Sequence, residues 1–81
     1  MLEVLKADPK AVGAKQVGRA LRSGQAKLVF LAEDADPKVT EPIAHLCQEL
    51  SVPTELVHTM ATLGKACGIS VGCAVAAMLE N

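Results

Sequence analysis

The chain reads as an α/β protein, a three-layer α-β-α sandwich around a small mixed four-stranded sheet. Three observations lead there. Helical and strand patterns alternate along the 81 residues, starting with a helix and ending with a strand. Residues 28–32 and 73–79 are continuously apolar, as expected of strands covered on both faces. The length suits one small core, with no repeat, low-complexity tract or linker, so residues 1–81 are read as a single domain.

The elements follow in order. Residues 2–7 fit a short helix with Leu2 and Leu5 inward, ended by Pro9, which pushes the residue before it out of the α region. Residues 10–12 look like a short strand. A helix over 15–23 then has two unlike faces. Val17, Ala20 and Leu21 form an apolar side, while Lys15, Arg19 and Arg22 recur at i, i+4 and i+7 on the other. No Ser, Thr, Asp or Asn precedes it, so Gly13 or Ala14 must start the helix without a side-chain acceptor. Free N–H donors, the positive dipole end and a basic face together suit phosphate and base edges. On pattern alone, a solvated cationic face is the commoner explanation.

Gly24 stops that helix, and the apolar strand over 28–32 follows. Glu33-Asp34-Ala35-Asp36-Pro37 is a loop. Its carboxylates could hold Mg²⁺ or act in acid–base chemistry, but no histidine or second carboxylate cluster is spaced to complete a set, so solvated turn residues are the better reading. Thr40 is expected to cap the next helix, with Pro42 in its first turn, where a missing N–H does little harm. Ile43, Leu46, Cys47 and Leu50 make its inward stripe. Cys47 and His45 diverge on that helix, which argues against a metal site between them.

Residues 52–58 carry another strand, ending in a surface histidine, His58. Thr59 can cap a helix over 60–66, with Met60 and Leu63 inward and Gly68 at its end. Ile69-Ser70-Val71-Gly72 is a loop with two exposed-looking aliphatics, leading into the last strand. The glycine-flanked segments 13–19 and 64–72 both fall at element ends. If they reach the same edge of the sheet, they form one composite binding face.

Composition narrows the function. Phe30 is the only aromatic residue, which excludes modules that stack bases on aromatic rings. The apolar runs are too short to span a bilayer, and no basic region precedes an apolar segment at the N-terminus, so a cytoplasmic protein without a signal peptide is expected. Three cysteines without a C-x-x-C pair fit reduced, buried thiols rather than a disulfide framework. The net charge of −1 hides an asymmetry. Residues 1–31 hold six Lys and Arg against two acids, and residues 32–81 hold two against seven. A compact basic patch on an otherwise acidic protein suits one local site rather than coverage of long nucleic acid.

Three segments carry a resemblance. Gly13-Ala14-Lys15-Gln16-Val17-Gly18-Arg19-Ala20 resembles the G-x-[NK]-[EQ]-x-x-[KR]-A motif of the kink-turn-binding ribosomal protein superfamily, which includes the archaeal "seven-Ae" and eukaryotic "thirty-e" large-subunit proteins. Ala32-Glu33-Asp34 is similar to the A-E-D segment after that family's central strand. Leu63-Gly64-Lys65-Ala66-Cys67-Gly68-Ile69-Ser70-Val71 is similar to its L-G-x-A-x-G-[VI]-x-x loop. Each motif is weak alone, but their order and separation match over essentially the whole chain. The length and the Asp34-Ala35-Asp36-Pro37 segment look most like the stand-alone bacterial YbxF-type members.

The resemblance implies a kink-turn RNA reader, binding duplex RNA bent at a short bulge and followed by tandem sheared G·A pairs. It carries an RNA-binding set onto Gly13, Ala14, Lys15, Gln16, Arg19, Glu33, Lys65, Ile69, Ser70 and Val71. In it, Lys15, Gln16 and Arg19 match base-contacting positions, Ile69 and Val71 the loop near flipped-out nucleotides, and Lys65 a phosphate contact. Lys15 and Gln16 replace the Asn and Glu of archaeal members, and Val71 and Gly72 stand where those often have Arg and Pro. It further implies ribosomal RNA or a riboswitch as partner, possible ribosome association, a monomer, and neither catalysis, metal, cofactor nor membrane. The rival class is a protein-interaction or structural domain that kept the fold without kink-turn binding. A small hydrolase using His45, His58 or the 33–36 acids lacks a nucleophile–base pair or metal spacing.

Overall fold

The computed structural model describes residues 9–80, and the helix expected over 2–7 lies outside them. The described elements are β1 (Lys10–Val12), α1 (Ala14–Arg22), β2 (Ala26–Ala32), α2 (Pro37–Glu49), β3 (Thr54–Val57), α3 (Met60–Ala66) and β4 (Val75–Leu79). The strands lie in the order β1-β4-β2-β3. β4 is antiparallel to both of its neighbours and β2 is parallel to β3, so the sheet is mixed.

The continuous apolar strands resolve into two faces. In β2, Val29 and Leu31 join one core cluster, while Phe30 and Ala32 join the other. In β4, Val75 and Ala77 go one way, and Ala76 and Met78 the other. The first cluster holds Val17, Ala20 and Leu21 of α1 with Ile43 and Cys47 of α2. The second holds Leu63 of α3 with Cys67 and Val57. Two helices therefore cover one face and α3 the other, which is the expected sandwich. Every apolar side chain of β2 and β4 has somewhere dry to go, so no polar alternation is needed.

Helix boundaries follow local chemistry, and one expectation is corrected. Thr40 does not start α2. The Asp36 carboxylate accepts the Lys38 N–H at 3.0 Å, Pro37 takes the first helical position, and the helix begins a turn earlier. An aspartate immediately before a proline is the stronger start signal, because proline at that position sacrifices no bond. Pro42 then lies inside the helix, exposed on its outer side. Leu50 is also corrected: it is the C-cap of α2 and 45% exposed, outside the buried stripe.

All three helices stop with the same pair of backbone bonds. Gly24 N–H donates to Leu21 O and Gln25 N–H to Ala20 O. Gly68 and Ile69 repeat this on Lys65 and Gly64, and Ser51 and Val52 on Gln48 and Cys47. These are Schellman stops. Val52 is thus spent on ending α2, which is why β3 starts later than the expected residue 52. Thr59 caps α3 as expected, its hydroxyl oxygen accepting the Thr62 N–H at 3.0 Å. β4 begins at Val75 rather than 73, because the Cys73 N–H is drawn to Met60 O of α3.

Candidate nucleic-acid interface

Strand direction decides what meets. β1, β2 and β3 run the same way and β4 runs opposite, so the C-terminal ends of the first three share one sheet end with the start of β4. The start of α1, the 33–36 loop, the start of α3 and the 68–74 loop all emerge there.

Gly13 follows the edge strand β1 at this end. Its φ of 90° and ψ of 155° suit glycine alone, and no side chain caps α1. The Gly13 N–H donates to Val75 O at 3.0 Å, and its own carbonyl accepts the Val17 N–H at 2.9 Å. The Val75 carbonyl also accepts the Cys73 thiol at 2.8 Å. One carbonyl at the mouth of the 68–74 loop thereby anchors the start of α1. The two glycine-flanked segments do reach the same edge.

Lys15, Gln16 and Arg19 are exposed on α1, whereas Ala14 packs partly against the core and offers the interface little beyond its backbone. Gln16 is more committed than its sequence suggests. Its Oε1 accepts the Val12 N–H at 3.1 Å, which leaves the amide NH₂ as the group facing outward. Val12 belongs to β1, an edge strand, so this bond also blunts that edge. A groove of about 360 Å³ runs beside Gln16 and Arg19, along the β1 edge.

The α3 side of the site depends on a close fit. A Cβ built on Gly64 would lie 2.0 Å from the Val71 carbonyl oxygen, and one on Gly72 would lie 3.2 Å from the Met60 Cβ. The loop therefore lies directly on the α3 backbone, and its aliphatics are pushed outward. Val71 is 68% exposed and Ile69 36%, with Ser70 exposed between them. Leu56 and Leu50 are exposed elsewhere, but among the described residues only Ile69 and Val71 place two exposed aliphatics in one loop.

The acidic loop is structural. Asp36 caps α2, and the Asp34 Oδ1 accepts the Met60 N–H at 2.8 Å, tying the loop to the start of α3. Glu33 remains exposed, with its Oε1 3.6 Å from Nδ1 of His58. No group of three or more His, Cys, Asp or Glu could hold a metal ion among the described residues. Lys65 faces solvent in the last turn of α3, roughly 7–8 Å along the helix from Met60. It is the candidate residue least tied to the others.

Sequence reasoning treated Lys10 as part of the basic half. Strand parity puts it on the face of its partner Met78, opposite Ala11 and α1. There it opposes, weakly, the upward push on the Cys67 thiol, which comes first from burial and then from Cys73. The basic patch near the site is thus Lys15, Arg19 and Arg22 of α1. The capping roles of Asp34 and Asp36 were missed as well; the Asp-Pro pair was the available signal for Asp36, and Asp34 had none.

The sequence matches the ribosomal protein L7Ae/L30e/S12e/Gadd45 family over residues 2–81. It is 44% identical over 78 residues to the RNA-binding protein YbxF of Geobacillus stearothermophilus, covering 96% of this chain and 95% of that one. An RNA-binding protein of Bacillus pumilus is 40% identical over 77 residues, covering 95% and 94%. Among solved structures, a 15.5 kD RNA binding protein of Giardia lamblia superposes with a TM-score of 0.91 at 28% identity, covering 99% of this chain and 71% of that one. Sequence, sheet order and the glycine-anchored start of α1 agree: the chain belongs to the ribosomal protein L7Ae/L30e/S12e/Gadd45 family.

Proposed function

We propose that this protein is a non-enzymatic reader of kink-turn RNA, holding the bent form of a bulged duplex at its tandem sheared G·A pairs. One observation carries the reading: the uncapped start of α1, with Lys15, Gln16 and Arg19, is tied through Gly13 to Val75, at the sheet end where the loop with exposed Ile69 and Val71 enters β4. Relatives named as RNA-binding proteins support it.

The chemistry is selective. Ordinary A-form RNA hides its major groove from side chains, so base edges become reachable only where the duplex is deformed. Lys and Arg donate to guanine O6 and N7. The Gln16 amide, with its oxygen accepting from Val12, keeps both NH₂ donors for a base edge. Aliphatic loop residues cover unstacked bases without an aromatic platform. The protein acts by binding the bent form better than the extended one, which shifts the population toward it. Such a reader works as a cytoplasmic monomer on ribosomal RNA or a riboswitch.

Calorimetric titration with two short RNAs tests this. One carries a bulge followed by tandem G·A pairs, and the other has those pairs changed to Watson–Crick pairs. Tight binding to the first alone is expected. Equal weak binding to both would reduce α1 to nonspecific electrostatics, and no binding to either would favour a protein-interaction domain.

A further inference from the structure

Gly18 stands in the middle of α1, where glycine is a poor helix former. Its φ is not among the positive values, so the backbone does not demand it. The space it leaves is informative. The three atoms that a Cβ at Gly18 would meet first all belong to Arg22: Nη1 at 3.3 Å, Nη2 at 3.7 Å and Cζ at 3.8 Å. No other helix or strand competes for that space so closely. The guanidinium of Arg22 lies against the open face of Gly18, close enough that a Cβ there would press on it.

Helical side chains lean toward the N-terminus over the preceding turn, and Arg22 does so across its i−4 neighbour. This draws its charge back along α1 by about one turn, toward Lys15 and Arg19. Among the described residues, no carboxylate lies within ion-pair distance of Arg22. A guanidinium on the same helix face as Lys15 and Arg19, with no acidic partner among the described residues, gains from an anion placed beside it.

We propose that Arg22, seated on Gly18, is a phosphate-binding residue of the RNA interface that grips the backbone beyond the G·A pairs. The proposal rests on the kink-turn reading and extends its footprint. Phosphate is the matching group because, even drawn back by a turn, the Arg22 guanidinium lies past the helix start that faces base edges. A planar guanidinium with two forward N–H groups suits phosphate oxygens. Gly18 acts as a positioning residue: it sets where the charge sits and carries none itself.

The test measures binding of the G·A-containing RNA at several salt concentrations, alongside thermal melts, for the wild type, Arg22→Gln, Gly18→Ala and Arg19→Ala. Arg22→Gln should weaken binding and lower the slope of log K against log salt by roughly one, the loss of a single phosphate contact. Gly18→Ala keeps every charge and should raise Tm by roughly 2–6 °C, since alanine is the better helix former. It should nevertheless weaken RNA binding severalfold, because the guanidinium is displaced. A purely structural pairing would not move stability and affinity in opposite directions. Unchanged affinity and slope for Arg22→Gln, with Arg19→Ala weakened, would overturn this proposal and leave the kink-turn reading standing. Failure of the wild type to prefer the G·A-containing RNA would overturn both.

Discussion

At the residue scale, Arg19 is the side chain to which the proposed reading assigns the largest role. It is exposed on α1, one turn beyond Lys15 and beside the groove along the β1 edge. Arg19→Ala should weaken binding to the G·A-containing RNA by roughly 1–3 kcal/mol if it reads a base edge, with the melting temperature nearly unchanged. An unaltered affinity in a folded variant would remove it from the interface. Gly64 makes the contrasting case. Its missing side chain lets the Val71 carbonyl lie against α3, and that carbonyl belongs to backbone that cannot swing aside. Gly64→Ala should cost roughly 1–3 kcal/mol by overpacking and shift the loop that presents Ile69 and Val71. Denaturant melts and RNA titration of the same preparation would show the two losses together. The motif already placed glycine at 64, but its reason, a carbonyl from seven residues onward, was not legible there.

The elements were legible in proportion to how local their causes are. α3 matched its expected bounds because Thr59 and Gly68 act within a turn of its ends. α2 did not, because two start signals competed and Asp36-Pro37 prevailed over Thr40. Its other end holds an instructive strain. Ser51 takes the left-handed position of a Schellman stop at φ 58°, where the other two helices use glycine. A left-handed L-residue costs about 1–2 kcal/mol, while glycine there loses about 0.4–1 kcal/mol of chain entropy more on folding. Ser51→Gly should therefore stabilise the protein by roughly 0.5–1 kcal/mol, read as a higher denaturation midpoint with an unchanged denaturant slope. A lower midpoint would mean that the serine makes a compensating contact.

At the scale of the whole molecule, the thiols report on the core. Cys47, Cys67 and Cys73 are free and buried, one on the α1–α2 side of the sheet and two on the α3 side. Burial pushes the Cys47 and Cys67 thiols above their ordinary value. The unfolded chain therefore releases these protons at lower pH than the folded one. Their contribution to stability is fully present below the unfolded thiol value, about 8.5, and is lost as pH rises from there through the folded values. Tm should begin to fall above about pH 8.5, and at pH 7 a thiol-labelling reagent should react only as fast as the protein opens. Rapid labelling of the native protein would mean that these side chains are not packed as described. Charge is likewise a property of the whole: strand parity puts Lys10 on the Met78 face, although it borders the same groove as Gln16 and Arg19.

The sequence by itself determined the sandwich, the order of the described helices and strands, most of their inward residues and the family, because periodicity, caps and glycine stops act over a few residues and the three motifs survive as spacing. Only the tertiary structure decided which ends of those elements meet. The antiparallel placement of β4 between β1 and β2 brings the 68–74 loop to the β1 side of the sheet, and pairing between strands more than forty residues apart leaves no local trace. Pairing with β4 also put Lys10 on the Met78 face, while the contacts of Gln16 with Val12 and of Arg22 with Gly18 span only four residues and were still not written in the pattern. Side-chain partners depend on where the backbone finally lies, and that is a property of the packed chain.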